Sequence, residues 1–274
     1  MTINCKGQLI DLSKPKIMAI LNVTPDSFFD GGKYSNEKNI LDHVEKCLVD
    51  GATFIDVGAY SSRPGASEVT ENMELLRILP IVKLIINKFP ETILSIDTFR
   101  SEVASACVQE GAAIINDISS GQLDDKMMDT IARLNVPYIL MHMRGTPKTM
   151  LSKTEYDDIV QNLLHFFSEK VGIAQSKGIR DIIIDPGFGF AKNLEQNYVL
   201  FSKIEQLKTI ELPILLGISR KSMIYKLLDT TAEYALNGTS ALHMLGLYKG
   251  ANILRVHDVK EAMECIKIHN QLIS

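Results

Sequence analysis

Polar or charged residues stand at the ends of eight short apolar runs in this sequence. In chain order they are Asn22, Asp56, Asp97, Asn116 with Asp117, His142 with Arg144, Asp185, Ser219 with Arg220 and Lys221, and Arg255 with His257. An Asp or Asn after a strand is often only a helix cap or a turn former. That explanation does not account for Lys, Arg and His at equivalent positions, so we predict that these side chains converge on one pocket. We expect Asp56 and Asp117 to have the most structural role, holding neighbouring loops.

The first chemical group is cationic and consists of Arg63, Lys221, Arg255 and His257. Lys221 opens a predicted helix, and the backbone N–H groups at a helix N-terminus favour an anion. The group therefore predicts an anion site, although Arg63 alone is equally well explained as a solvated loop charge.

The second group consists of Asp97, Asn116 and Asp185, which end buried runs. A buried carboxylate needs partners that donate hydrogen bonds. Two carboxylates and an amide suit a flat ring bearing N–H and amino groups, because carboxylates accept and an amide both donates and accepts. Two alternatives stay open. The acids hold a metal, although no His or Cys joins them at ligand spacing, or Lys221 forms a Schiff base.

The runs that carry these residues have the pattern of parallel strands buried on both faces, because they are short and uniformly apolar. The predicted strands are 17–22, 54–58, 92–97, 113–117, 137–141, 181–185, 213–217 and 252–256. The predicted helices are 36–50, capped by Ser35, then 69–88, 101–110, 124–134, 156–176, 194–207, 221–228, 232–248 and 259–273. Gly51, Gly111, Gly178 and Gly250 are expected to end helices.

Eight strands alternating with helices predict an α/β fold, a single (β/α)8 TIM barrel. In such a barrel the carboxyl ends of the strands form the active-site face, and strands seven and eight supply the usual phosphate position. An open doubly wound sheet is the alternative, but the segment after the first strand lacks a nucleotide fingerprint. We place an N-terminal extension or hairpin at 1–16 and the barrel domain at 17–274.

Composition fits one globular enzyme of 274 residues with 46% hydrophobic residues and a net charge of −4. That charge offers no basic surface for nucleic acid. We expect no secretion signal and no membrane span, because the first 16 residues lack an apolar core and no apolar run reaches about 18 residues. The cysteines at 5, 47, 107 and 265 make no CxxC pair. We therefore expect reduced thiols and a cytoplasmic protein.

Eight segments, in order on the eight predicted strand ends, resemble the dihydropteroate synthase family, the pterin-binding sulfonamide targets of folate biosynthesis. They are ILNVTPDSF at 20–28, DVG at 56–58 with SRPGA at 62–66, SIDT at 95–98, INDI at 115–118, MHM at 141–143, DPGFGF at 185–190, GISRK at 217–221 and RVHD at 255–258. The resemblance covers most of the chain. It implies condensation of dihydropterin-6-ylmethyl diphosphate with 4-aminobenzoate to give 7,8-dihydropteroate and diphosphate.

The resemblance also implies roles for individual residues. The pterin diphosphate would contact Ser62, Asp97, Asn116, Asp185, Lys221, Arg255 and His257. The aminobenzoate would lie near Ser62, Ser219 and Lys221, between apolar walls made by Phe28, Pro64 and Phe190. Asn22 would bind a Mg²⁺ cofactor that bridges to the diphosphate. Arg63, Lys221, Arg255 and His257 would be the catalytic residues, drawing away the leaving group. Family members are commonly homodimers, with helices 232–248 and 259–273 as the candidate interface.

The second loop departs from the family's common wording, GGESTRPG. Here Tyr60 stands in place of Glu, and Ser62 in place of Thr keeps the hydroxyl but loses a methyl. Two rival functions are a non-enzymatic pterin-binding relative and a methyltransferase that uses methyltetrahydrofolate. Asn22, the SRPG segment at 62–65, Lys221 and His257 together argue against the first. Arg63 with Arg255 and His257 argues against the second, which has no need of a diphosphate site.

Overall fold

The computed structural model describes residues 1–23, 33–60 and 69–273 and shows one parallel barrel. Its strands are β3 (Lys16–Asn22), β4 (Phe54–Gly58), β5 (Ile93–Asp97), β6 (Ile114–Asp117), β7 (Tyr138–Met141), β8 (Ile182–Asp185), β9 (Leu215–Leu216) and β10 (Ile253–Val256). They pair in the order β8-β7-β6-β5-β4-β3-β10-β9. A parallel bridge from Ile184 to Ile214 closes β8 onto β9. The predicted (β/α)8 barrel is confirmed.

Alternation along the strands sorts side chains into an inside and an outside set. One buried cluster takes a single residue from every barrel strand: Met18, Phe54, Ile93, Ile114, Ile139, Ile183, Leu215 and Ile253. Their strand neighbours, such as Ile17, Ile55 and Leu94, belong instead to the larger core that packs against the helices. Both faces of the sheet are therefore apolar, which explains the uniformly hydrophobic runs in the sequence.

A hairpin closes the amino-terminal end of the barrel. β1 (Thr2–Cys5) and β2 (Gln8–Asp11) pair antiparallel around a turn at Lys6 and Gly7, whose φ angles are +54° and +86°. Ile3 and Ile10 of the hairpin join the inner cluster. Because one end of the barrel is plugged by apolar side chains, the other end, at the carboxyl termini of the strands, is left for a site.

The helices lie close to their predicted bounds. They are Lys33–Val49, Glu71–Lys88, Ser101–Gln109, Met127–Leu134, Ile159–Ser176, Leu194–Ser202, Ser222–Leu227, Leu236–Tyr248 and Val259–Ile273. Gly51, Gly111, Gly178 and Gly250 follow helices with φ near +100°, as expected of C-terminal caps. Within the described ranges, no helix is both long enough and apolar enough to cross a membrane.

Two helix predictions were wrong in detail. The first helix begins at Lys33 rather than at 36, so Ser35 lies inside it and is not its cap. The predicted helix 194–207 ends at Ser202, and Ile204–Ile210 forms a 3₁₀ segment instead. 3₁₀ turns are frequent at helix termini, although a segment of seven residues is longer than most.

Candidate active site

Alternation along the barrel strands places a polar layer directly above the inner apolar cluster. On four strands, the residue two positions after the member of that cluster is polar: Asp56 on β4, Asn116 on β6, Asp185 on β8 and Arg255 on β10. Asp97, two further residues along β5 from Ser95, faces the same space. Sequentially distant residues thus meet because adjacent parallel strands bring their carboxyl ends together.

Asp56 is the centre of a buried hydrogen-bonded cluster. Its Oδ2 accepts hydrogen bonds from Arg255 Nε at 2.6 Å and from Asn116 Nδ2 at 3.0 Å. Arg255 also donates from Nη2 to Asp97 Oδ2 at 2.8 Å. One guanidinium therefore links two carboxylates on neighbouring strands and is held in a fixed plane.

The electrostatics of this cluster follow from burial. Burial raises the pKa of Asp97, and Arg255 opposes that rise while Asp56 adds to it. The carboxylates of Asp56 and Asp97 raise the pKa of Arg255, which stays charged. Asp56 is fully buried, and its Oδ1 has no hydrogen-bond partner among the described residues. The cluster thus has acceptor capacity to spare, which suits a ligand that donates N–H groups.

Asp185 and Lys221 form the second half of the layer. Asp185 Oδ1 accepts from the N–H of Gly187 at 2.8 Å. A Cβ on Gly217 would lie 3.6 Å from Asp185 Oδ2 and 3.8 Å from Lys221 Nζ, so both groups border the same small residue. Burial raises the pKa of Asp185, and the nearby Lys221 charge opposes this.

Lys221 is held by the loop that follows β8. Its Nζ donates to the carbonyl of Phe188 at 2.7 Å and lies 4.9 Å from the ring centre of Phe190. Burial lowers the pKa of Lys221 to about 8, with Asp185 acting in the opposite direction. Phe190 itself packs against a small apolar cluster that contains Met141 and Ile118. A cation and an apolar wall therefore lie side by side at the mouth of the pocket.

Ser219 and His257 lie together at the ends of β9 and β10. Ser219 Oγ and His257 Nδ1 are 3.1 Å apart, and the same hydroxyl accepts from the His257 N–H at 3.2 Å. His257 is exposed, whereas Ser219 is buried. The pair places an imidazole at the rim, on the strands where barrels bind phosphate groups.

The two chemical groups predicted from sequence do not lie apart. Arg255 was grouped with the anion site, yet it is bonded to Asp56 and Asp97. Lys221 likewise lies beside Asp185. The reason is general, since buried charges of one sign are costly unless charges of the other sign compensate them.

Several strand-end residues do not contribute to the pocket, so the prediction that all of them converge was too broad. Asp117 points outward and accepts from Tyr138 Oη at 2.6 Å and from the N–H groups of Ser119 and Gly121 at 2.7 Å each. It is structural, as expected. Arg144 instead stacks on Tyr156, with its guanidinium carbon 3.9 Å from the ring centre.

Two more strand-end residues are also used elsewhere. Arg220 forms a two-pronged ion pair with Asp258, with both N–O distances at 2.8 Å. His142 is buried, and its Nδ1 is 3.0 Å from the Nζ of Lys192. Burial and the neighbouring Lys192 lower the pKa of His142 well below its usual range.

Asp56 and Lys192 are the residues that the sequence interpretation undervalued. Asp56 was expected to hold loops, but it organises Arg255 and Asn116 inside the barrel. Strand alternation explains this once the structure shows Phe54 to face inward, because Asp56 is two residues from Phe54, whereas Asp117 follows the inward Asn116. Lys192 gave no signal, since an isolated lysine is usually exposed.

Tyr60, which stands where the family commonly has Glu, belongs to an aromatic cluster just after β4. Its ring meets Phe99 edge to face at 5.2 Å, and the guanidinium of Arg100 lies 5.6 Å from its centre. Arg100 also donates to the carbonyl of Val69 at 2.6 Å and to the buried carboxylate of Glu74. Arg100 thus contacts both residues that flank 61–68.

Some predicted site residues lie outside the described residues: Phe28, Ser62, Arg63 and Pro64. Asn22, the predicted Mg²⁺ ligand, is half-buried at the end of β3, beside Gly58 of β4. The described ranges contain no group of three His, Cys, Asp or Glu side chains arranged to hold a metal. A single amide oxygen still fits Mg²⁺, which commonly keeps several waters and takes its remaining ligands from substrate phosphates.

Comparison with known proteins identifies the family to which this site belongs. Residues 18–257 match the family model described as "Pterin binding enzyme". The dihydropteroate synthase of Escherichia coli K12 is 41% identical over 276 residues, which cover 100% of this chain and 97% of that protein.

Solved structures agree with the sequence relatives. The Yersinia pestis dihydropteroate synthase with a sulfonamide drug complex superimposes with a TM-score of 0.93 at 41% identity, covering 100% of this chain and 99% of that one. The Xanthomonas albilineans dihydropteroate synthase with 4-aminobenzoic acid gives a TM-score of 0.92 at 35% identity, covering 100% and 98%. The chain belongs to the dihydropteroate synthase family of pterin-binding enzymes.

Proposed function

We propose that the chain condenses dihydropterin-6-ylmethyl diphosphate with 4-aminobenzoate, giving 7,8-dihydropteroate and diphosphate in folate biosynthesis. The C–O bond between the pterin methylene and the diphosphate breaks, and a C–N bond forms to the aromatic amine. The amine proton leaves to solvent. The observation that carries the proposal is the buried layer of Asp56, Asp97, Asn116, Asp185 and Arg255 in a chain of this family.

Pterin recognition follows from the acceptor excess of that layer. Asp185 is oriented by the Gly187 N–H and keeps its other oxygen for the amino and ring N–H edge of the pterin. Asp56 Oδ1 offers a further acceptor, while Asn116 both donates and accepts. Arg255, fixed between Asp56 and Asp97, presents a flat face on which the ring stacks.

Departure of diphosphate requires positive charge at the rim. Arg63, Arg255 and His257 would supply it as the charge on the leaving group grows. The electron-rich dihydropterin stabilises a cation at its methylene carbon, so the C–O bond can break before nitrogen attacks. The aromatic amine then needs no strong general base.

The aminobenzoate would bind between Lys221 and the apolar walls of the mouth. Ser62, Ser219 and Lys221 would contact it, and Phe28, Pro64 and Phe190 would flank its ring. The 4.9 Å approach of Lys221 Nζ to Phe190 supports this, because a carboxylate and a ring need a cation and an apolar surface together. Mg²⁺ held by Asn22 would neutralise part of the diphosphate charge.

The assay of the proposed function supplies pterin diphosphate, Mg²⁺ and labelled 4-aminobenzoate to the purified chain. We expect one labelled dihydropteroate for each diphosphate released. The Asp185→Asn and Lys221→Met variants should lose most of this activity, whereas Lys226→Met, an exposed lysine on the helix that follows Lys221, should retain it. Intact pterin binding without any product would overturn the proposal in favour of the non-enzymatic pterin-binding relative.

The methyltransferase alternative predicts a different result in the same experiment. It has no use for a diphosphate group, so His257→Ala and Arg63→Ala would leave its turnover of methyltetrahydrofolate unchanged. Our proposal expects both changes to slow diphosphate release. The Schiff-base alternative predicts borohydride trapping at Lys221, which we do not expect, because its Nζ already donates to the Phe188 carbonyl.

The proposal extends to a homodimer that works in the cytoplasm. Exposed apolar side chains on the two C-terminal helices, Leu245, Tyr248, Ile268 and Leu272, support the interface. All four cysteines have free, buried thiols, which suits a reducing compartment.

The proposed homodimer is tested by sedimentation, which should give twice the chain mass. Ile268→Asp should produce monomers, and Leu9→Asp, on the exposed hairpin at the opposite end, should not.

A further inference from the structure

Lys192 is a buried lysine behind the loop that follows β8. Lys192 is only 5% exposed. Within the described part of the chain, its ammonium group forms no ion pair with an Asp or Glu. Burial lowers the pKa of Lys192 well below its usual range, and the charge of Asp185 only partly opposes this, so a lysine here is costly. Its position therefore calls for an explanation beyond filling space.

The head group of Lys192 is surrounded by acceptors from one loop and one strand end. Its Nζ donates to the carbonyl of Gly187 at 2.9 Å and to that of Phe190 at 3.0 Å. His142 lies close as well, with Nδ1 at 3.0 Å and its carbonyl at 3.4 Å. A lysine head group has at least two N–H donors in either protonation state, enough for both loop carbonyls, so it holds residues 187–190 against the end of β7.

The loop held in this way contacts both Asp185, on the proposed pterin side, and Lys221, on the proposed aminobenzoate side. Gly187 donates from its N–H to Asp185 Oδ1 at 2.8 Å, and its carbonyl accepts from Lys192. Phe190 accepts from Lys192 through its carbonyl and faces Lys221 with its ring. Lys221 in turn donates to the carbonyl between them, that of Phe188.

Two lysines thus bind the same short loop from opposite sides. Lys221 does so from the pocket, and Lys192 from the core. A third contact comes from Asn197, whose Oδ1 accepts from the Gly189 N–H at 2.7 Å and whose Nδ2 donates to the Lys192 carbonyl at 3.2 Å. The loop is also tightly packed, since a Cβ on Gly187 would lie 2.1 Å from the His142 carbonyl oxygen.

We propose that Lys192 is a positioning residue for the reaction, which sets the Asp185 carboxylate for the pterin and the Phe190 ring for the aminobenzoate by holding the carbonyls of Gly187 and Phe190. The inference rests on the proposed function. It differs from a purely structural role, because it predicts changed ligand affinity in protein that remains folded.

The test compares Lys192→Met, which keeps the length and apolar stem but removes every donor, with wild type and Lys226→Met. We expect Kd for the pterin diphosphate, measured by calorimetry without aminobenzoate, to rise at least about tenfold, the effect of about one lost hydrogen bond. The KM for 4-aminobenzoate should also rise. Thermal melting and circular dichroism identify folded protein, and Lys226→Met should match wild type in every measurement.

The outcomes separate the two proposals. Folded Lys192→Met with Kd and KM within twofold of wild type would overturn the positioning role, even if its melting temperature fell. Binding of the pterin by wild type without product formation would instead refute the proposed function. If Lys192→Met is not recovered folded, Lys192→Gln, which keeps a shorter uncharged donor, decides by the same criteria. If both variants fold, a Kd for Lys192→Gln between those of wild type and Lys192→Met would support the proposal.

Discussion

Replacement of Asp56 by Asn tests whether this residue, at the centre of the buried layer, contributes to ligand binding or only to the stability of the barrel. Asp56 is fully buried and accepts from Arg255 at 2.6 Å and from Asn116 at 3.0 Å. The Asn variant keeps the shape of the side chain but removes its charge. Arg255 retains its second bond, to Asp97, at 2.8 Å. The Arg255 guanidinium therefore loses one of its two carboxylate partners and keeps the other.

The stability cost can be worked from these contacts. A hydrogen bond to a charged group is worth about 1.5–3 kcal/mol and a neutral one about 1 kcal/mol. Arg255 still donates as a charged group, whereas the bond from Asn116 changes from the first kind to the second, at a cost of about 0.5–2 kcal/mol. At about 2–4 °C for each kcal/mol in a chain of this size, the melting temperature should fall by about 1–8 °C. Asp56→Ala, which also leaves Asn116 without its acceptor, should cost about 3–5 kcal/mol.

The effect on binding should exceed what stability explains. Asp56 Oδ1 is buried and has no partner among the described residues, so we expect it to accept an N–H of a ligand that enters the layer. Loss of a charge-assisted bond of about 1.5–3 kcal/mol should raise Kd for the pterin diphosphate by roughly ten- to a hundredfold. Calorimetry at a temperature well below both melting points measures this directly.

Asp117→Asn is the matched control, because it makes the same chemical change on the outer face of the same barrel. Asp117 accepts four hydrogen bonds, among them one from Tyr138 at 2.6 Å, so its loss should lower stability at least as much. It should leave pterin Kd within twofold of wild type. Equal loss of affinity in Asp56→Asn and Asp117→Asn would refute the assignment of the two acids to different faces.

Three further predictions concern other parts of the site. Because burial lowers the pKa of Lys221 to about 8, its charge is lost as pH rises through about 8, and pterin affinity should weaken there by calorimetry, an inflection that Lys221→Met should abolish. Arg100→Met leaves the buried Glu74 carboxylate without its ion-pair partner and should lower the free energy of unfolding in urea by about 3–5 kcal/mol. Adding Glu74→Gln should restore part of that free energy. Gly187→Ala should raise pterin Kd strongly in folded protein, since φ is +68° and the new Cβ would collide with the His142 carbonyl; unchanged affinity would contradict the tight packing of the loop.

The barrel itself could be predicted from sequence, because each strand is short and apolar on both faces and each is followed by a helix with a clear stop. The prediction of the polar rim succeeded for the same reason, since a charged residue that ends an apolar run must lie near a strand terminus. Which way each residue faces could not be predicted so easily. With both faces buried, the sequence lacks the alternation that distinguishes Asn116, inside the barrel, from Asp117, outside it.

Sequence also could not predict which charged residues lie next to each other. Arg255 and Lys221 were assigned to an anion site by their type, yet the fold places them among Asp56, Asp97 and Asp185. Only the register between strands shows which charges share a space. The contribution of Lys192 was beyond sequence reasoning, because its partners are backbone carbonyls, which carry no sequence signature.

The balance of charge in the layer explains how one pocket can select a ring and also release an anion. Three acids face two cations, and Asp56 Oδ1 has no donor among the described residues, so the layer has more acceptors than donors. We expect a pterin to supply those donors, and a ring of the same shape without its amino group would leave a buried carboxylate unpaired, at a cost of about 1–3 kcal/mol or more. Once a ring satisfies the acids, the charge of Arg255 and Lys221 would be less fully neutralised and would act on the diphosphate. On this proposal, selection of the pterin and activation of its leaving group both follow from the same ion pairs.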